Sequence, residues 1–278
     1  MSTAATYEHQ RPSVLGSDLR RFWSLAWTLA VTDWKLRFYG SVLGYLWTLV
    51  RPFAFFGVVY FVFTDIIGLN KNIPNYGVYI LFSLVLFQFF GEITGNSVQS
   101  LVVRENLLRK MRFPRLVIPL AIVLTAIFNL IGTLAAVLIF ALISGVYPGW
   151  GWLELPLLIG ILALFATGIG LTLGALYVRF RDIQPIWEVV SQMLFYASPV
   201  LYVSTFVPEA YQRPYHANPI AAVFCQMRHA VVDPGAPAIW TAIGGVGRVF
   251  IPLGITLAAL VVGLLVFRRE APRIAENL

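Results

Sequence analysis

The chain has 278 residues, 59% of them hydrophobic and only 12% charged. A soluble domain carries roughly 25% charged residues, so a soluble protein is excluded and an integral membrane protein is indicated. The net charge of +7 fits the arginine and lysine bias of cytoplasmic loops better than a nucleic-acid surface, and the single cysteine, Cys225, excludes an internal disulfide framework.

Residues 1–20 are polar, without an apolar core leading to a small-residue cleavage site, so insertion is expected to rely on internal spans. The stretch "SDLRRFWSLAWTLAVTDWKLRFYGS" (17–41) mixes Trp23, Trp27 and Trp34 with Arg20, Arg21, Lys35 and Arg37. Tryptophan and arginine together predict a helix lying in the membrane interface, started by Ser17 or Asp18. Six apolar segments of bilayer-spanning length follow, at about 42–67, 76–101, 116–144, 155–177, 185–203 and 249–267. Arg51-Pro52 interrupts the first and Glu92 the second.

Six spans put both termini on one side. Residues 1–51, the 102–115 and 178–184 loops and the tail after 267 hold sixteen of the twenty cations; Lys71, Arg213, Arg228 and Arg248 lie opposite. That asymmetry predicts cytoplasmic termini. The expected organisation is therefore a cytoplasmic N-terminus with its interface helix (1–41), a transmembrane domain (42–267) and a cytoplasmic tail (268–278). The outer segment 204–248 is punctuated by five prolines, and Asn218-Pro219 within it signals a helix start. The apolar run that follows is too short to span, which predicts a re-entrant or outer-surface helix.

In the second span Gln88, Glu92, Asn96 and Gln99 recur at helical spacing and share one face. Such a face either lines a polar conduit or hydrogen-bonds to a neighbouring helix, a dimer seam included; Glu92 is also a candidate partner for an arginine. The fifth span presents Glu188, Ser191, Gln192, Phe195, Pro199 and Tyr202. Aromatic rings among polar groups suit sugars, although aromatic stripes also serve packing or an interfacial belt. Pro199 frees a backbone carbonyl near the outer end. Gly170 and Gly174 form a GxxxG pair that permits close helix approach.

Enzyme signatures are sparse. None of the three lysines (Lys35, Lys71, Lys110) follows a glycine, which excludes a P-loop. His9, His216 and His229 show no zinc spacing with cysteine. No paired carboxylates or histidine–acid pair marks a convincing membrane-embedded transferase.

The segments "LGYLWTLVRP" (43–52), "ENLLRKMRFPRLVIPL" (105–120), "YVRFRDI" (177–183), "SPVLY" (198–202), "NPI" (218–220) and "APRIAENL" (271–278) occur in this order. Together they resemble membrane permeases of the type-two ABC exporter superfamily, over nearly the whole chain. The likeness is to the polysaccharide and teichoic-acid branch, the Wzm, KpsM and TagG/TarG-like subunits. The resemblance implies a homodimer of six-span subunits, with two copies of a separate cytoplasmic, Wzt-like ATPase that uses ATP and magnesium. No cofactor is expected on this chain itself, and no nucleic acid.

The resemblance implies a coupling helix at Glu105, Asn106, Leu107, Leu108, Arg109, Lys110, Met111, Arg112 and Phe113. Pro114 closes that segment, whose apolar residues would dock in an ATPase groove. A second cytoplasmic contact is implied around Arg179, Arg181 and Asp182, and outer gate helices over 206–245. For the first and fifth spans it implies a channel and lateral opening, drawing attention to Tyr45, Trp47, Arg51, Phe55, Tyr196 and Tyr202. Family substrates are polymers, often carried on polyprenyl pyrophosphate; O-antigen, galactan or a similar cell-envelope glycan is the cargo expected here. Arg51 is the sharpest candidate: its guanidinium either grips a pyrophosphate or snorkels to inner headgroups. The expected function is export of lipid-linked polysaccharide. Teichoic-acid or small-molecule export, an ATP-independent transporter and a membrane transferase stand as alternatives.

Overall fold

The computed structural model describes residues 19–39, 44, 46–68, 73–105 and 114–277, the last seven by backbone alone. Among these residues every regular element is helical. In chain order they are α1 (Leu19–Phe38), α2 (Leu46–Phe61), α3 (Tyr76–Val103), α4 (Val117–Ile143) and α5 (Leu155–Tyr177). Then come α6 (Ile183–Ala197), α7 (Glu209–Tyr215), α8 (Pro219–Met227), α9 (Ile239–Ala242) and α10 (Phe250–Asn277). A π turn (Val62–Ile66) prolongs α2, another (Arg228–Val232) follows α8, and a 3-10 turn (Trp150–Glu154) leads into α5.

Five helical stretches are long and apolar enough to cross a bilayer: Leu46–Ile66, Tyr76–Val103, Val117–Ile143, Trp150–Tyr177 and Val246–Glu270. They coincide with five of the six expected spans, and the fold is an all-α, multi-span membrane fold. Arg51-Pro52 does not break the first, because Pro52 is accommodated inside α2.

The remaining expected span, 185–203, is realised differently. Its helix, α6, has 15 residues, about 22 Å at the α-helical rise, and the chain turns extended at Ser198. Pro199 causes this: it has no N–H to continue the ladder and disfavours helical geometry in the preceding residue. The carbonyls thus released inside an apolar bundle need donors, and α3 supplies them. Tyr79 Oη donates to the Pro199 carbonyl and lies 3.1 Å from that of Tyr202, while Tyr76 Oη donates to Leu201 at 2.6 Å. At the other end of the segment the side-chain amide of Gln99 donates to Gln184. Residues 184–201 therefore run beside α3 from Gln99 to Tyr76, about 34 Å of helix.

The central helix is α3: 78% of its spanning window is buried, against 17% for the first and last spans. Glycines set its spacing from α5. A Cβ on Gly174 would stand 2.6 Å from the Ser97 carbonyl oxygen, and one on Gly170 2.7 Å from Ser97 Oγ. This is the close approach that the GxxxG pair predicts. Gly168, on the same helix, packs as tightly on the Ala259–Leu260 backbone of α10.

One end of the bundle gathers Leu101, Ile118, Leu171, Ala175 and Phe267. At the opposite end Asn75 Nδ2 and Trp152 Nε1 each donate, at 3.2 Å, to carbonyls of Val232 and Val231. Here α8 begins at Pro219 as the sequence predicts. Asn218 Oδ1 accepts from the Ile220 N–H at 3.0 Å, and Asn218 Nδ2 donates to Ser198 Oγ at 3.0 Å. Its residues Ile220, Phe224 and Met227 are fully buried.

Helix α1 is more than a surface float. Phe22 and Ala26 pack with Val117, Ala30 approaches Thr125, and Trp34 meets Phe128 edge-on. The helix thus lies lengthwise along the first half of α4 and still exposes Leu19, Trp23 and Trp27.

Candidate functional site

The polar face of α3 is where side chains converge. Arg37, at the end of α1, forms an ion pair with Glu92, and Asn129 Nδ2 of α4 donates to the same carboxylate oxygen at 2.7 Å. One turn before Arg37, Asp33 pairs with Arg104 at the end of α3. Two ion pairs therefore tie α1 to α3 along its second half, just ahead of the 105–113 segment.

Beside this tie lie two adjoining cavities of about 290 and 610 Å³, each bordered by Arg37, Arg51, Gln88 and Glu92. Trp47 lines the smaller one, and Phe55, Asn96 and Phe195 the larger. Among the lining residues Glu92 is the one carboxylate and Arg37 neutralises it, which leaves Arg51 as the net charge of the cleft. Arg51 is exposed and makes no ion pair among the described residues. A guanidinium with free N–H groups beside flat aromatic surfaces can bind a phosphate oxyanion while its neighbours hold apolar or sugar faces.

Thr48 of α2 and Thr133 of α4 also border the smaller cavity. Thr94 and Ser97 of α3, and Thr133 of α4, donate to carbonyls four residues back in their own helices at 3.0, 2.7 and 3.0 Å.

Of the candidates named from sequence, Trp47, Arg51, Phe55, Gln88, Glu92, Asn96 and Phe195 come together here. Glu188 and Gln192 are exposed elsewhere on α6, Glu188 accepting from Gln184 Nε2 at 3.2 Å. Tyr196 is exposed, and its carbonyl accepts from Tyr202 Oη at 3.0 Å. Tyr202 also receives a hydrogen bond from Tyr215 at 3.1 Å, so its hydroxyl ties the end of α7 to the chain that follows α6. Arg179 and Arg181 lie over the rings of Phe180 and Tyr177, at 5.2 and 5.0 Å, and Asp182 is exposed beside them. Glu105 closes the described part of that chain end, whereas Tyr45 and Asn106 through Phe113 lie outside the described residues. Sequence reasoning missed Arg37 and Asn129 as site residues. A lone asparagine in the apolar run "AIVLTAIFNLIGTL" was the available signal for the second.

Among the described residues no group of three or more His, Cys, Asp or Glu side chains could hold a metal ion. The multi-span helical bundle, with a polar cleft beside its central helix, is that of a membrane permease, and sequence comparison names its family. The chain belongs to the ABC-2 type transporter family, whose model matches residues 24–232. It is 29% identical over 251 residues to the O-antigen export system permease protein RfbA of Klebsiella pneumoniae, covering 88% of this chain and 92% of that one. A Myxococcus xanthus protein of the same description is 31% identical over 194 residues, 69% of this chain and 74% of the relative. The polysialic acid transport protein KpsM of Escherichia coli is 24% identical over 243 residues, 86% and 91% of the two chains.

Proposed function

We propose that this chain is the transmembrane subunit of an ATP-driven exporter that moves lipid-linked polysaccharide, of the O-antigen or galactan kind, across the bacterial cytoplasmic membrane. It works as a homodimer with two copies of a cytoplasmic ATPase, which carries the nucleotide and magnesium chemistry. Family membership and the similarity to O-antigen permeases support the class. The observation that carries the substrate reading is Arg51, the unneutralised cation of a cleft with aromatic walls.

Six crossings fit this reading. Residues 184–201 run the length of α3 from Gln99 to Tyr76, so a short helix plus an extended tail covers the distance of a full span. Both termini are then cytoplasmic, together with the cation-rich end. The 218–232 segment, apolar and at the opposite end, serves as an outer re-entrant gate, and α1 as the interface helix.

Nucleotide binding at the ATPase moves the 105–113 segment. Helix α3 carries that motion inward from Arg104, and the Asp33–Arg104 and Arg37–Glu92 pairs make α1 follow. The walls of the Arg51 cleft, built from α2, α3 and α6, shift with them. Arg51 engages the pyrophosphate of the carrier lipid through charge-assisted hydrogen bonds, and Trp47, Phe55 and Phe195 receive its apolar and sugar parts. In the reconstituted complex, Arg51→Ala is expected to abolish stimulation of ATP hydrolysis by lipid-linked glycan while basal hydrolysis persists. Undiminished stimulation would remove Arg51 from the substrate path.

A further inference from the structure

Cations are scarce at the membrane end opposite the 105–113 loop, and two of them meet there. A Cβ on Gly244 would stand 2.8 Å from Arg248 Nη1 and 3.4 Å from Arg213 Nε, so the two guanidinium groups approach each other within about 6 Å. Arg213 belongs to α7, and Arg248 to the turn before α10. Both are exposed, and neither forms an ion pair among the described residues. One N–H of Arg248 is directed at the Ile243 carbonyl, 3.4 Å away, which fixes the group beside the Gly244–Gly245 turn. That turn needs glycine at Gly244, whose φ is +84°. Two like charges held side by side without a carboxylate repel one another, and an anion placed between them relieves the repulsion.

The surroundings say what kind of anion. Arg248 lies in the first turn of the last membrane span, Val246–Glu270, and Val246, Phe250 and Ile251 around it are exposed apolar side chains. A charged head resting on the arginines would have its hydrocarbon tail beside these residues. A soluble anion would gain nothing from that apolar margin.

We propose that Arg213 and Arg248 form a binding site for a phosphate-bearing lipid headgroup at the outer face of this permease. Arginine forks match phosphate oxygens bidentately, and two arginines from different elements can grip opposite sides of one phosphate. The same chemistry is presented by an anionic phospholipid of the outer leaflet and by the pyrophosphate of an isoprenoid carrier. Only the designation of the face as outer rests on the six-crossing reading. Binding by the isolated full chain involves no export, so failure of the site and failure of the transport function are distinguishable.

The test is calorimetric titration of the purified full chain, carrying Arg51→Ala so that the cleft does not take up the pyrophosphate, in a neutral detergent with two probes, dihexanoylphosphatidylglycerol and farnesyl pyrophosphate. Arg213→Gln and Arg248→Gln are each expected to weaken binding several-fold, and the double variant by at least about tenfold. Arg268→Gln, at the other membrane end, serves as the control and should change nothing. Loss confined to the phospholipid assigns the site to the bilayer, loss confined to the pyrophosphate assigns it to the carrier, and loss of both supports phosphate recognition in either source. Should the double variant be poorly folded, Arg213→Lys with Arg248→Lys retains the charge but not the fork, and is expected to bind with intermediate affinity. Undiminished affinity of these variants for both probes would overturn the proposal, as would an equal loss in the Arg268 control.

Discussion

Replacing Gly168 with alanine should separate two helices that the sequence holds unusually close. The added Cβ would stand 2.5 Å from the carbonyl carbon of Ala259 and 2.5 Å from the amide nitrogen of Leu260, both backbone atoms of α10. An ordinary contact is about 3.5 Å, so α5 and α10 must part by about 1 Å, and no side-chain rotation relieves the clash. Overpacking of this kind costs about 1–3 kcal/mol, and the rigidity of two helical backbones puts Gly168→Ala near the upper end. The gain in helix propensity returns at most about 1 kcal/mol, leaving a net loss of about 2 kcal/mol, roughly a 30-fold change in the folding equilibrium. Gly91 and Gly95 of α3 provide the contrast, since a Cβ at either meets nothing within 4 Å. Unfolding of the purified protein by increasing SDS mole fraction, followed by circular dichroism, reads the series. Gly168→Ala should unfold earliest, with Gly91→Ala and Gly95→Ala at or above the wild-type midpoint. Equal midpoints across the three would refute the packing argument.

Glu92→Gln leaves Arg37 and Arg51 facing the cleft without a carboxylate. Because the Arg37 side chain is 46% exposed, the lost ion pair is worth only about 1 kcal/mol of stability. The electrostatic change is the larger effect: farnesyl pyrophosphate should bind more tightly, with a steeper salt dependence, and weaker binding would contradict the charge balance drawn for the site. His216 predicts a pH effect. Its Nδ1 lies 2.7 Å from the Gln212 carbonyl, its Nε2 is buried without a partner, and burial holds its pKa below the ordinary histidine value although that hydrogen bond opposes the shift. The unfolded chain therefore binds the proton more readily, so this group's contribution is full above the unfolded pKa, about 6.5, and declines as pH falls through it. Thermal stability should decrease from pH 7.5 to pH 5.5, and less so in His216→Gln; identical profiles would contradict this. Leu108→Asp combined with Met111→Asp should abolish co-purification of the ATPase. Retention of both association and coupled transport would leave the 105–113 segment as a topology signal alone.

Span edges were legible because hydropathy, glycine and proline act locally: α3, α4 and α5 begin and end within two residues of their expected limits. The polar face Gln88–Glu92–Asn96 was legible from helical spacing, and these residues do border one cleft. Which arginine serves Glu92 was not, because Arg37 lies 55 positions away and its approach depends on how α1 packs along α4. Pro199 announced a disturbance near the C-terminal end of 185–203. Its extent, a helix ended at Ala197, depends on the Tyr76 and Tyr79 hydroxyls that receive the released carbonyls, and nothing near Pro199 encodes those partners. Tyr202 shows the opposite case: an aromatic suited to a sugar surface is engaged with Tyr196 and Tyr215.

The central claim, that this chain conducts lipid-linked polysaccharide under the control of a separate ATPase, is tested most directly in proteoliposomes. The permease and its co-purified ATPase are reconstituted with fluorescent lipid-linked glycan, and movement of the glycan between leaflets is followed as protection from an impermeant quencher. The expected result is movement that needs ATP, the partner and Arg51 together. Movement at the same rate without the ATPase, or none with the intact complex and ATP, would contradict the account.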